Sequence, residues 1–166
     1  MLHRRSVLAG AIAISVGGCG FQLRGAPELA FSSLYVAVAE SSTLGNELKR
    51  NLGSLGALQV ITDPAQQATA QALLDILLDQ REKTVVGVNA SGQVREFQLR
   101  VRLRFRLRTP QGRELIPSTE LLLQRDISFN ESAVLAKEAE EGLMYRDMQS
   151  DIVQQLIRRL AAVRNL

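Results

Sequence analysis

The chain holds one cysteine, one histidine and no tryptophan in 166 residues. Both scarce reactive side chains, Cys19 and His3, lie near the start. If the leading segment is cleaved and Cys19 is consumed by modification, the working chain keeps neither a thiol nor an imidazole. Disulfides, His–Cys metal sites, Ser–His–Asp triads and Cys–His dyads are then excluded, and no metal site or catalytic residue is assigned. Aromatic residues make up only 4%. The core must therefore be built from Leu, Val, Ile and Ala, and the stacking residues of a nucleic-acid binder are missing. An excess of one charge is also lacking. The formal charge is +3, and without Arg4 and Arg5 there remain 18 basic residues against 17 acids. A hydrophobic content of 46% with 22% charged residues is that of a folded domain, and the length suits one core.

Residues 1–18 have the form of a signal peptide, with Arg4 and Arg5 followed by an apolar run from Val7 to Val16. That run is too short to span a bilayer. Gly17, Gly18 and Cys19 then form a lipobox, which predicts cleavage before Cys19 and acylation of its thiol, with no other cofactor. Gly20 stands where an aspartate would signal retention at the inner membrane, so sorting to the outer membrane is expected. Residues 19–166 are read as a single domain on a short lipidated tether.

From Leu99 to Arg108 the alternation never slips. Leu99, Val101, Leu103, Phe105 and Leu107 share one parity; Arg100, Arg102, Arg104, Arg106 and Arg108 share the other. A period of two is that of a β-strand with one greasy and one cationic face. Same-face neighbours lie roughly 6.6 Å apart, where like charges repel by about 0.6 kcal/mol in water. Such a row is tolerable on a wet face and not in a dry one.

The other elements follow from spacing. Residues 34–38 and 58–62 read as short strands flanking a helix with Leu44, Leu48, Leu52 and Leu55 on one stripe, capped near Ser42 and stopped at Gly56. Strand, helix, strand at these lengths suggests a crossover unit. Residues 71–88 form a longer strand, with Leu74, Ile76 and Leu78 on one face and Asp75 and Asp79 on the other, though Leu73 and Leu77 blur the pattern. A turn at residues 89–92 would set Asp75 near Arg106 and Asp79 near Arg102. After a turn at Pro110 and Gly112, a strand over residues 118–129 follows, its greasy face broken by Arg125. Residues 132–164 give one long helix with Leu135, Ala139, Leu143, Met148, Ile152, Leu156, Leu160 and Val163 on a stripe. Together these predict an α+β fold, a two-layer sandwich with two helices on one face of a mixed, mostly antiparallel sheet and the arginines on the other.

Cys19, Gly20, Phe21, Leu23 and Arg24 are similar to the start of the mature chain in the LptE (RlpB) family of lipopolysaccharide-assembly lipoproteins. Gly92 to Gln98, Leu115 to Pro117, Leu135 to Lys137, Arg146 to Met148 and Gln155 to Leu160 resemble family segments in the same order. The resemblance implies an outer-membrane lipoprotein that plugs and helps assemble the LptD β-barrel and delivers lipopolysaccharide to the outer leaflet. It also implies lipopolysaccharide binding, with Lys137 matching a lysine implicated in it. The family's basic residue at the hairpin tip falls on Ala90, and Arg95 stands nearby as its substitute. Arg100, Arg104 and Arg108 complete the candidate anion-binding set, since guanidinium groups bind phosphates and carboxylates bidentately.

Three readings compete with that one. The arginine row is also explained as a solvated face neutralised by acids. A lipoprotein adaptor that tethers an envelope complex without binding lipopolysaccharide would show the same lipobox. An enzyme would have to work through Asp75 and Asp79, which have no glycine-rich or catalytic loop beside them; no enzymatic activity and no nucleic-acid partner are expected.

Overall fold

The computed structural model describes residues 27–166; Cys19, with the signal segment and the tether, lies outside the described residues. A five-stranded sheet has the order β2-β1-β3-β4-β5. β1 (Ser33–Ala37), helix α1 (Thr43–Gly53) and β2 (Gln59–Ile61) form the expected crossover, with β1 and β2 parallel. β3 (Ala72–Val88) runs parallel to β1, and β3, β4 (Val94–Arg108) and β5 (Glu114–Ser128) make a long antiparallel meander. Helix α2 (Val134–Ala161) closes the chain. No helix among the described residues is long and apolar enough to cross a membrane.

The alternation of β4 is realised along its length. Leu99, Val101, Leu103, Phe105 and Leu107 are buried, and both helices pack on this face. α1 contributes Leu44, Leu48 and Leu52; α2 contributes Met148, Ile152, Val153, Leu156, Ile157 and Leu160. The α+β sandwich is therefore as the periodicities require. Ser42 caps α1, its hydroxyl accepting from the Gly45 N–H at 2.8 Å. The helix ends at Gly53, ahead of Gly56, which holds a positive φ of 72° in the following turn.

Gly45 has a packing reason of its own. A Cβ there would run into the γ-carbons of Val38. Glycine to alanine inside a helix ordinarily stabilises by about 1 kcal/mol. Here the sign reverses: Gly45→Ala is expected to destabilise by roughly 1–3 kcal/mol through overpacking, measured by urea unfolding.

Three sequence expectations need correction. Asp79 does not lie across from Arg102. The run Ile76, Leu77, Leu78 cannot alternate, and the register slips there: Ile76 pairs with Phe105, Leu78 with Arg104 and Asp79 with Leu103. The inserted residue exchanges the faces of the residues after it, as far as the next slip beyond Val85. Asp79 thus turns to the helix side, where its carboxylate accepts from the Ser42 hydroxyl at 2.7 Å, and Leu78 moves to the arginine side. Second, the long helical stripe is half used. Leu135 is 82% exposed and Leu143 55%, because the first half of α2 extends past the sheet's packed centre. Third, β5 begins four residues earlier than expected, at Glu114, and takes Pro117 into an edge strand, where a missing N–H is tolerated.

Two puzzles in the pattern also resolve. Leu73 and Leu74 are both buried because the start of β3 is covered on both faces: Leu74 joins the main core, while Leu73 packs with Tyr35, Ile61 and Ala70 in a small second cluster. Arg125, which breaks the greasy face of β5, reaches α2 and pairs with Asp151 at 3.2 Å and Asp147 at 3.9 Å.

Candidate functional site

The candidate basic residues divide between the two faces of the sheet. Arg100, Arg104 and Arg108 stand with Arg102 and Arg106 on the face without helices. Lys137 on α2 belongs to the helix-bearing side, and Arg95 lies at the turn end of β4, where the register against β3 slips.

On the open face most of the row is already engaged, because β4 is a central strand with acids on both neighbours. Asp75 of β3 accepts from Arg106 at 2.8 Å and from Arg108 at 2.7 Å. Burial alone would push the Asp75 carboxyl up; the hydrogen bonds and charges of Arg108 and Arg106 outweigh this and hold it below the usual carboxylate range. Arg102 spans the strand, reaching Glu120 of β5 at 3.1 Å and Glu82 of β3 at 3.4 Å. Arg100 donates to Gln98 at 2.8 Å, and Gln98 in turn donates to Asp126 at 3.0 Å. Arg104 alone of the row makes no hydrogen bond or ion pair among the described residues, although it lies opposite Glu120. Opposite charges on adjacent strands are the sheet's own way of holding such a row together.

The helix-bearing face offers a different site at the far end of the meander. There Phe97 and Phe129 meet edge to face, centroids 5.4 Å apart at 82°. With Ile127 and Val134 they line a cleft of about 220 Å³ that also takes in Lys83 and Lys137. Lys137 Nζ donates to Ser128 Oγ at 3.0 Å and to Glu140 at 2.9 Å. Lys83 Nζ donates to Glu141 at 2.6 Å and lies 4.2 Å from the centre of the Phe97 ring. Arg95 adjoins the cleft through the main chain, its carbonyl accepting from the Phe129 N–H at 2.7 Å. Arg95 and Lys137 therefore share one end of the molecule, with the apolar floor of the cleft between strand and helix. Lys83 and the aromatic pair were not singled out in the sequence: Phe97 precedes the alternation that begins at Leu99, and nothing local marks Lys83. Among the described residues no group of three or more His, Cys, Asp or Glu could hold a metal ion.

A family model described as LptE, lipopolysaccharide-assembly, matches residues 31–160. The chain belongs to the LptE family. Its relatives include the "LPS-assembly lipoprotein LptE" of Pectobacterium atrosepticum, 27% identical over 98% of this chain and 88% of that protein. The protein of the same name in Yersinia enterocolitica is 28% identical over 98% of this chain and 78% of its own length. Among solved structures, an uncharacterized lipoprotein B from Nitrosomonas europaea is 35% identical with a TM-score of 0.73, covering 86% of this chain and 91% of that one. The rare lipoprotein B of Shewanella oneidensis shares the fold at a TM-score of 0.65 and 19% identity, over 78% of this chain and 94% of its own. The LptE-family membership makes this chain one of the lipoproteins of lipopolysaccharide assembly in the Gram-negative envelope.

Proposed function

We propose that this LptE-family chain is an outer-membrane lipoprotein, acylated on Cys19, that plugs and assists assembly of an LptD-type β-barrel and helps pass lipopolysaccharide to the outer leaflet. Lys137 and Arg95 contact the anionic groups of the lipid. The observation that carries this reading is the cleft beside them: the amines of Lys83 and Lys137 at the rim of a floor made by Phe97, Phe129, Ile127 and Val134. A phosphorylated lipid has both chemistries, and basic groups beside apolar surface match it. The open-face arginines fit the role less well, since Asp75, Glu82 and Glu120 already occupy three of them. One observation favours the adaptor that binds no lipopolysaccharide: Lys137 and Lys83 are themselves paired, with Glu140 and Glu141. A ligand phosphate has to displace those carboxylates.

The test is lipopolysaccharide binding by Arg95→Ala/Lys137→Ala beside Arg100→Ala/Arg104→Ala/Arg108→Ala. The first pair is expected to weaken binding about tenfold at low salt, two exposed charge contacts each contributing up to ~1 kcal/mol. The loss shrinks in salt, because exposed charges are screened beyond about 8–10 Å at 0.1–0.15 M. Lipid A without phosphates binds wild type and the pair variant equally. Unchanged binding of the phosphorylated lipid by both variants leaves the adaptor reading. The mass of the mature N-terminus decides the acylation of Cys19 separately.

A further inference from the structure

β3 has a strand on both sides only at its start. β1 pairs with Ala72, Leu73, Leu74 and Asp75 and then departs toward α1. The rest of this 17-residue strand, residues 76–88, has β4 on one side and no strand on the other among the described residues. Main-chain N–H and C=O groups on such an edge must bond to water or to another chain. The only side-chain hydrogen bond to this stretch of main chain, among the described residues, is from the Tyr145 hydroxyl to the Glu82 carbonyl at 2.6 Å.

The free edge of β5 and the open stretch of β3 differ in how they are guarded. β5 is blunted by Pro117, by a register slip next to it, and by Glu120, Gln124, Arg125 and Asp126. β3 has register slips at Leu77 and around Gly87, but no proline, and no charge after Lys83. Val85, Val86 and Val88 are 46%, 49% and 60% exposed. Where β1 departs, the edge opens into a notch of about 630 Å³ lined by Ala37, Val38, Leu77 and Leu78 among others, with Leu77 43% exposed. An incoming strand placed there would continue the track that β1 leaves.

We infer that the edge of β3 over residues 76–88 is a strand-addition site for an extended segment of a partner protein, rich in β-branched residues and acidic on one face. Backbone pairing supplies the attraction and alternate side chains the selectivity. The acidic preference comes first from Arg81 and then from Lys83, which is already paired with Glu141; both share the helix-bearing face, opposite Val101 and Leu99. Arg81 bonds Thr43 and Gln149 and has no carboxylate partner among the described residues. A second copy of this chain fits poorly along the full edge. Antiparallel pairing centred on Glu82 sets Glu82 against itself and Arg81 against Lys83, and in-register parallel pairing stacks each charge on its own kind. The strand-addition site shares Lys83 with the cleft but rests on the main chain of β3 and uses neither Arg95 nor Lys137, so loss of lipopolysaccharide binding in the Arg95/Lys137 variant leaves it standing.

The experiment is amide NMR with hydrogen exchange on the full chain, titrated to about 1 mM, the weak-affinity range, with an end-blocked heptapeptide of alternating valine and glutamate. Shifts and slowed exchange are expected at residues 77–88 and not in β5. N-methylating alternate peptide amides removes the bonding edge, and lysine in place of glutamate opposes Arg81 and Lys83; each is expected to weaken binding about tenfold. Absent shifts, shifts centred on β5 or the helices, or equal binding of the N-methylated peptide would overturn the assignment. So would association of the chain with itself that protects the same amides without peptide, since the edge would then belong to a second copy.

Discussion

Phe105→Ala is expected to lower the unfolding free energy by about 3–5 kcal/mol, the cost of a large cavity in a packed core. Phe105 is fully buried, flanked by Ile76 on β3 and Thr119 on β5. The strand is the central one of the meander, so its neighbours cannot close the gap without shifting two strands together. Its chain neighbour makes the control. Arg104→Ala removes a side chain with as many heavy atoms from the opposite face, where it makes no hydrogen bond or ion pair among the described residues, and is expected to cost well under ~1 kcal/mol. Urea melts of the two variants measure the difference. Equal losses would mean that the faces of β4 are wrongly assigned.

Asp75→Asn is expected to cost roughly 1–3 kcal/mol at neutral pH, as two charge-assisted hydrogen bonds become weaker ones. The carboxylate side chain is only 14% exposed and serves both Arg106 and Arg108. The pH dependence has a definite sign. Arg108 and Arg106 hold the carboxyl below its unfolded value despite burial, so its contribution is fully present above that value, about 3.9, and is lost as pH falls through the lower folded value. The gap between wild type and Asp75→Asn should therefore narrow as the solution is acidified below about pH 4. A gap undiminished at the most acidic pH where the chain still folds would show that Asp75 acts through packing and not through its charge.

These two expectations rest on different kinds of legibility. The uninterrupted alternation of residues 99–108 determines a strand, its buried face and its wet face, because a period of two leaves no other regular structure that segregates those side chains. The Leu44–Leu52 stripe and the apolar spacing of residues 148–160 likewise determine two amphipathic helices, and the sandwich follows from the need to cover three greasy faces at once. The pairing of Asp75 with Arg106 agrees with the turn expected at residues 89–92, but the slip at Leu77 is what brings the two into register, and the same turn misplaced Asp79.

Local pattern failed where a side chain's face depends on a neighbouring element. Leu77 sits in a run of three apolar residues, and only the pairing of β3 with β4 shows that one of them is extruded; that one residue carries Asp79 from the arginine face to the cap of α1. Leu135 and Leu143 continue the stripe of α2 in sequence, but a helix longer than the surface it covers leaves its end uncovered. Arg125 is a defect in a strand pattern until α2 brings Asp147 and Asp151 to it. Above all, tertiary structure decided which cations stand together. Arg95 is five residues from Arg100 in sequence but stands beyond the row, at the register slip beside the turn. Helix packing sets Lys137 at the same end of the sheet as Arg95, beside Phe97 and Phe129, while the neighbouring strands fill most of the arginine row with acids.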